Sequence, residues 1–305
     1  MNNSFCEWLY IGNKTFEEPF FADTIADCRN LEENCKTYKV ISDLEIMAEW
    51  ADDLNSLPPT AIIFHISRCG STLLSQLLAL DEKHIVLSEV PFFDELLRIP
   101  FKQNPVERKI SIDYLAAAFK YYGQKRARNE EQLFIKTDSW HLHFYILLRN
   151  LFPSVPFILL YRNPLEVMLS QKNQRGMQSV PGLIEPEVFG FSGQQVNENN
   201  HDVYMAKILE SYYKKMIEII TSDPLALLVN YEEGIKNIMA KVYAFSGLKL
   251  TGKAETLFAE RSRFRAKHPQ QLFQEDHKDF SKPGYMLPAL KLYKNLEDIR
   301  LLMSK

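Results

Sequence analysis

Residues 60–79 read TAIIFHISRCGSTLLSQLLA, and their character changes twice within that stretch. The isoleucine-rich run predicts a buried strand, the small residues after it a turn, and the apolar-periodic segment from Ser71 onward a helix. Strand, turn and helix in that order make an anion site. The N–H groups of a first helical turn lack carbonyl partners, and the helix dipole adds partial positive charge there. Gly70 allows backbone to approach a ligand closely, while Ser71 and Thr72 add hydroxyl donors.

The same alternation extends outward from this stretch. Strands are expected at 84–87, 134–137, 157–161 and 225–229, with helices over 92–98, 112–126, about 141–152, 203–221 and 234–245. Asn163, Pro164 and Glu166 supply a cap, a first-position proline and an acid for one more helix after the 157–161 strand. Strands alternating with helices predict a parallel α/β sheet. Residues 1–59 read as an N-terminal cap packed on that core. It has a strand at 38–41, a helix over 43–54 capped by Ser42 with Glu45, and core aromatics Phe5, Trp8, Phe16, Phe20 and Phe21. Residues 60–250 form the core proper. Within it, 174–202 is rich in Gly, Pro, Asn and Gln without any period, and reads as a structureless lid over a ligand. Residues 251–305 form a helical C-terminal extension with a polar loop over 277–284.

Composition narrows the function. The 305 residues are 46% hydrophobic, ample for a sizeable core, and the net charge of −3 gives no global reason to expect nucleic acid or an anionic membrane as partner. The start, MNNSFCEWLYIG, lacks the regions of a secretory signal. The most apolar later stretch, 144–161, is interrupted by Arg149, Asn150, Pro153 and Pro156 and cannot span a bilayer. A cytoplasmic protein is expected. Cys6, Cys28, Cys35 and Cys69 have no zinc or disulfide spacing and are expected as reduced thiols. His65 reads as a satisfied core histidine, and His141 and His143, two apart, do not make a metal pair.

An ordinary nucleoside-triphosphate loop reads GxxxxGK[ST]. Ser67 to Thr72 reads SRCGST instead, with Arg68 as the cation beside the anion site and no lysine before the hydroxyl. Arg68, Cys69, Gly70, Ser71, Thr72 and Leu73 resemble the phosphosulfate loop of the sulfotransferase family, which commonly reads R-S-G-[ST]-T before an apolar helix. A second stretch, FILLYRNPLEVMLSQ, resembles that family's 3′-phosphate motif, with Arg162 at a strand end and Ser170 eight positions on. An arginine fork and a hydroxyl two helical turns away can meet one phosphate from two sides. A third, LLVNYEEGIKNIMAKVYAFSGL, resembles the family's strand, Tyr-Glu pair and helix, with Tyr231 toward the nucleotide.

The resemblance implies a three-layer α/β P-loop NTPase-like fold with a central parallel sheet, and in-line sulfuryl transfer from 3′-phosphoadenosine 5′-phosphosulfate to a hydroxyl or amine without a metal. The acceptor would be a small molecule or a carbohydrate. Arg68 and Lys136, in FIKTDSW, would stabilise the transferring charge. Glu89, at the end of the second core strand, resembles the catalytic glutamate of tyrosylprotein-type and some carbohydrate-type members and would be the base. Asp138 is its rival, standing where the cytosolic small-molecule members have a histidine. Cys69 is a small filler or, since helix N-termini lower thiol pKa, a reactive thiol. The basic run Arg261, Arg263, Arg265 and Lys267, or Lys282 with Gly284, would meet the 3′-phosphate. Two other readings stay open at this point: an ATP-dependent P-loop kinase, and a non-catalytic nucleotide-binding module.

Overall fold

A computed structural model describes residues 5–35, 38–102, 112–127, 129–192, 200–262, 264 and 282–303. The chain opens with strand β1 (Phe5–Trp8), helix α1 (Phe21–Cys28), strand β2 (Val40–Asp43) and helix α2 (Leu44–Trp50). β1, which has no clear pattern in the sequence, pairs antiparallel with β2. The cap of α2 differs from the expected one. Asp43 accepts the Ile46 N–H at 2.8 Å, while Ser42 Oγ is drawn to the Trp8 indole N–H at 2.9 Å. The β1 pairing brings Trp8 to Ser42 and so removes it as a cap.

Strand β3 (Ala61–His65) leads into helix α3 (Ser71–Leu78), then β4 (His84–Ser88), α4 (Pro91–Lys102), α5 (Ile112–Tyr122) and β5 (Gln132–Lys136). The predicted helix after β5 is divided: Ser139–Phe144 winds as a tight 3₁₀ segment before α6 (Tyr145–Leu151). β6 (Phe157–Tyr161), α7 (Pro164–Asn173), α8 (His201–Ser222), β7 (Ala226–Asn230), α9 (Ile235–Phe245), α10 (Gly252–Arg261) and α11 (Leu287–Met303) complete the described elements. α7 starts as its sequence requires, with Asn163 accepting the Leu165 N–H and Pro164 in the first turn.

The five core strands run parallel in the order β4-β5-β3-β6-β7. Ala61 to Phe64 and Phe157 to Tyr161 are buried along their whole length, as strands covered on both faces must be. α3 packs on β4 and β5, α8 and α9 on β7, and α11 on α8. The N-terminal elements join the core through aromatic edges, Trp8 on Tyr121 with centroids at 4.9 Å and Phe21 on Tyr122 at 5.2 Å.

Segment 174–192 is more ordered than a structureless loop. It holds short 3₁₀ turns at Met177–Ser179 and Pro186–Phe189, and buries Gln178, Ser179, Ile184, Val188 and Phe189. Arg98 fastens it from α4, donating to Leu183 O at 3.1 Å and to Glu185 at 2.7 Å. Residues 193–199 of the expected lid lie outside the described residues. Among the described residues no helix is long and apolar enough to cross a membrane.

Candidate functional site

The order of the strands makes β3 the point from which the sheet is extended both ways, and ligands of open α/β sheets bind beyond the carboxyl ends of strands at such a point. Every core strand delivers a residue there. β3 runs into the 66–70 turn, β4 into Glu89, β5 ends at Lys136, β6 runs into Arg162 and β7 into Tyr231. A cavity of about 380 Å³ opens at this edge, with Arg68, Gly70, Ser71, Thr72, Leu73, Glu89, Asp138, Arg162 and Tyr231 in its wall.

The turn has the backbone of an anion cradle. Ser67, Arg68 and Gly70 all lie in the left-handed region, at φ 66°, 51° and 84°. The first intrahelical bond of α3 runs from Leu74 N–H to Gly70 O at 3.1 Å, so the N–H groups of Ser71, Thr72 and Leu73 precede it. Gly70 is required twice over. Its φ is left-handed, and a Cβ there would stand 2.6 and 2.7 Å from Tyr231 ring carbons. Tyr231 is held in place by a reciprocal cap, Asn230 Oδ1 accepting from Glu232 N–H at 3.0 Å and Glu233 accepting from Asn230 N–H at 2.8 Å. Gly70→Ala is therefore expected to lose about 2–4 kcal/mol in urea unfolding. Gly70→Ala/Tyr231→Ala, compared with Tyr231→Ala, should show only the left-handed backbone part, about 1–2 kcal/mol.

Arg162 stacks on the Tyr231 ring, its guanidinium carbon 4.3 Å from the ring centroid, and its Nε donates to Glu166 one turn along α7. Arg68 donates to Gln174 O at the end of α7, which ties the turn to the 174–178 segment. Cys69 turns inward, its Sγ donating to Leu160 O at 3.4 Å. Burial outweighs the neighbouring backbone N–H groups and pushes the thiol up to about 12, which favours the small-filler reading of Cys69 over the reactive-thiol one.

At the floor Lys136 Nζ donates to Glu89 Oε1 at 2.6 Å, with the lysine side chain wholly buried and the carboxylate partly open to the cavity. Glu89 has φ 53°, and its N–H bonds Lys136 O at 2.8 Å, so the chain turns sharply where β4 ends. Burial works against the Glu89 charge, but the Lys136 ammonium and the His65 N–H outweigh it and hold the carboxyl down at about 2. Asp138 goes the other way. Burial, followed by the Glu89 and Asp94 carboxylates, raises it well above the ordinary range. Two neighbouring carboxyl groups are thus shifted in opposite directions, Glu89 toward its charged form and Asp138 toward its neutral form.

Asp94, Asp138 and His141 bring potential ligand atoms within 4.8 Å of one another. Asp94 already accepts from Trp140 at 2.5 Å, His141 at 3.1 Å and Arg98 at 2.9 Å, an arrangement that fastens the 139–144 segment to α4.

Some expected residues stand apart from the cavity wall. Ser170 is half-buried on α7, Lys136 lies behind Glu89, and Lys282 is exposed. Arg261 donates to Gln76 on α3 at 2.6 Å, while Arg263, Arg265 and Lys267 lie outside the described residues. Conversely, Phe20, His65, Trp140, Arg175, Met177, Gln178 and Phe264 line the cavity without having been singled out as site residues. Phe20 belongs to the expected aromatic core, yet sits 5.2 Å from Lys136 Nζ at the cavity. His65 was legible as buried. Its neighbour Glu89 was not, because the two meet only once β3 and β4 are placed on either side of β5.

The sequence model of a family described as the sulfotransferase domain matches residues 58–282. The structure is similar to the sulfotransferase domain of the Synechococcus PCC 7002 olefin synthase, at 15% identity and a TM-score of 0.51 over 80% of this chain and 96% of that one. Sulfotransferase STF9 from Mycobacterium avium gives 12% identity and a TM-score of 0.47, over 84% of this chain and 80% of that one. No curated protein matches the chain. The parallel sheet with helices on both faces is the P-loop NTPase-like arrangement expected from the sequence.

Proposed function

Because the chain belongs to the sulfotransferase domain family, we propose that it moves a sulfuryl group from 3′-phosphoadenosine 5′-phosphosulfate to a hydroxyl or amine of a small-molecule or carbohydrate acceptor. The observation that carries the donor assignment is the convergence of the 67–73 turn, Arg162 and Tyr231 on one cavity with Glu89 at its floor. Cationic and N–H donors at the turn suit a phosphosulfate. A second arginine stacked on a tyrosine suits the remaining phosphate and the base.

The donor supplies an activated sulfuryl group and leaves as the 3′,5′-bisphosphate. Glu89 is the carboxylate that takes the acceptor's proton, and Arg68, in the wall of the same cavity, meets the charge that builds on the leaving side. Lys136 has a double part. While bonded to Glu89 it keeps the carboxylate a poor base, at about 2. Only by turning from Glu89 toward the transferring charge does it both stabilise that charge and release the carboxylate. The two acts are linked, which suits an enzyme that must not spend its donor on water.

Calorimetry with adenosine 3′,5′-bisphosphate tests the assignment: binding is expected, and none would overturn it. Arg162→Ala should weaken that binding by roughly 10- to 100-fold, the value of a charge-assisted contact. ATP with magnesium should give a smaller thermal shift than the bisphosphate at equal concentration.

A further inference from the structure

His65 is the last residue of β3, 3% exposed, and its two ring nitrogens face different parts of the site. Nδ1 accepts the backbone N–H of Ser67 at 3.0 Å. That bond fixes the tautomer, since a nitrogen that accepts cannot also carry the proton, and the proton therefore sits on Nε2. Nε2 is 2.9 Å from Thr137 O and 3.3 Å from Glu89 Oε1, so its one N–H is shared between a carbonyl of the β5 end and the carboxylate.

Ser67 is itself a constrained residue. Its φ of 66° and that of Arg68, 51°, are uncommon for residues with a Cβ and need bonds to hold them. Ser67 has two: its N–H to His65, and its Oγ accepting from Gln171 on α7 at 3.3 Å. One imidazole thus touches both the turn that aims Arg68 and the carboxylate across the sheet. Four groups that act on Glu89 come from three places: Lys136 and Asp138 at the β5 end, His65 on β3 and Arg68 in the turn. Among these, His65 alone is bonded to both the turn and Glu89.

We infer that His65 is a positioning residue that ties the shape of the anion-binding turn to the orientation of Glu89. Its side chain reaches the cavity wall, but the role assigned to it here acts through Ser67 and Glu89. It keeps Ser67 and Arg68 in their left-handed conformations through Nδ1 and presents one hydrogen bond to the carboxylate through Nε2. The catalytic consequence rests on the sulfuryl-transfer reading. The coupling itself is a property of the nucleotide-free protein.

Two variants separate the nitrogens. His65→Asn places a polar atom near the Nδ1 position and none at Nε2; His65→Gln reaches the Nε2 position and leaves Ser67 N–H without its acceptor. In the full chain, His65→Asn is expected to keep adenosine 3′,5′-bisphosphate affinity within about threefold. It should also raise the Glu89 carboxyl titration, followed by carbon-13 NMR and assigned with Glu89→Gln, because a donor to the charged form is gone. Its turnover falls about 10- to 100-fold, with the acidic limb of the pH profile moved upward. His65→Gln is expected to reverse the pattern, weakening nucleotide binding about tenfold with the Glu89 titration close to wild type.

Equal behaviour of the two variants, or an unmoved Glu89 titration in His65→Asn, overturns the inference. Nitrogen-15 NMR of the wild-type protein decides the case even where a variant does not fold: a proton on Nδ1 rather than Nε2 overturns it, and the Nε2–H tautomer upholds the contact on which it stands. If the wild-type chain fails to bind the bisphosphate, the functional reading falls while the titration and the tautomer still judge the coupling.

Discussion

Glu89→Gln is expected to keep adenosine 3′,5′-bisphosphate affinity within about threefold and to lose about a thousandfold in turnover. The amide has the carboxylate's size and can still accept from Lys136, now 2.6 Å away, but it cannot take a proton from an acceptor. The measurement is a radiolabelled-donor assay against the best acceptor from a small-molecule and oligosaccharide screen, with calorimetry alongside. Asp138 is the control. Burial and its carboxylate neighbours raise it well above the ordinary range, which favours its neutral form and weighs against its serving as the base. Asp138→Asn should therefore keep turnover within about tenfold. If Glu89→Gln stays active and Asp138→Asn is dead, the roles are reversed. Replacing Glu89 also removes one of the charges that raise Asp138, so any base activity moved to Asp138 would show as residual turnover rising with pH.

What the sequence made legible were the features written in neighbouring residues. The strand, turn and helix at 60–79, the Asn163-Pro164 helix start and the strand ends carrying Arg162 and Tyr231 all follow from local chemistry. The elements form where expected, and the turn, Arg162 and Tyr231 border one cavity. Contacts across the sheet were not legible. That Lys136 would face Glu89 rather than the cavity depends on the pairing that sets Ser88 opposite Lys136, a register no local pattern states. The same holds for Tyr231 against Gly70, joined across three strands. The 174–192 segment looked structureless because its anchor, Arg98, stands on α4, far away in sequence. Ser42 failed as a cap for a similar reason, its hydroxyl being claimed by a tryptophan on the unforeseen β1.

The second large effect concerns stability and comes from the same ion pair. Lys136→Met leaves Glu89 in a buried setting without its cation. Losing one partner of a fully buried pair costs about 3–5 kcal/mol; the Glu89 carboxylate is partly open to the cavity, so about 2–3 kcal/mol is expected near neutral pH. The pH dependence identifies the cause. In the wild type Glu89 is held at about 2, below the ordinary 4.5, so its contribution is fully present above the ordinary value and is lost as pH falls toward 2. In the variant the largest opposing charge is gone, burial is opposed only by the His65 N–H and the Arg68 guanidinium among the groups that act on Glu89, and the folded carboxyl is expected to move above its unfolded value. The sign then reverses: the variant is least impaired below about pH 4.5 and loses stability as pH rises through the raised value. Urea unfolding of both proteins from about pH 4 to pH 8 should show a gap that widens with pH. A gap independent of pH would mean that the loss comes from packing of the buried lysine side chain and not from the carboxylate. Glu89→Gln/Lys136→Met sharpens the distinction, because it replaces the pair by two neutral side chains of similar size. It should regain most of the stability and lose the pH dependence, while turnover stays lost, since neither the base nor the cation that releases it is present.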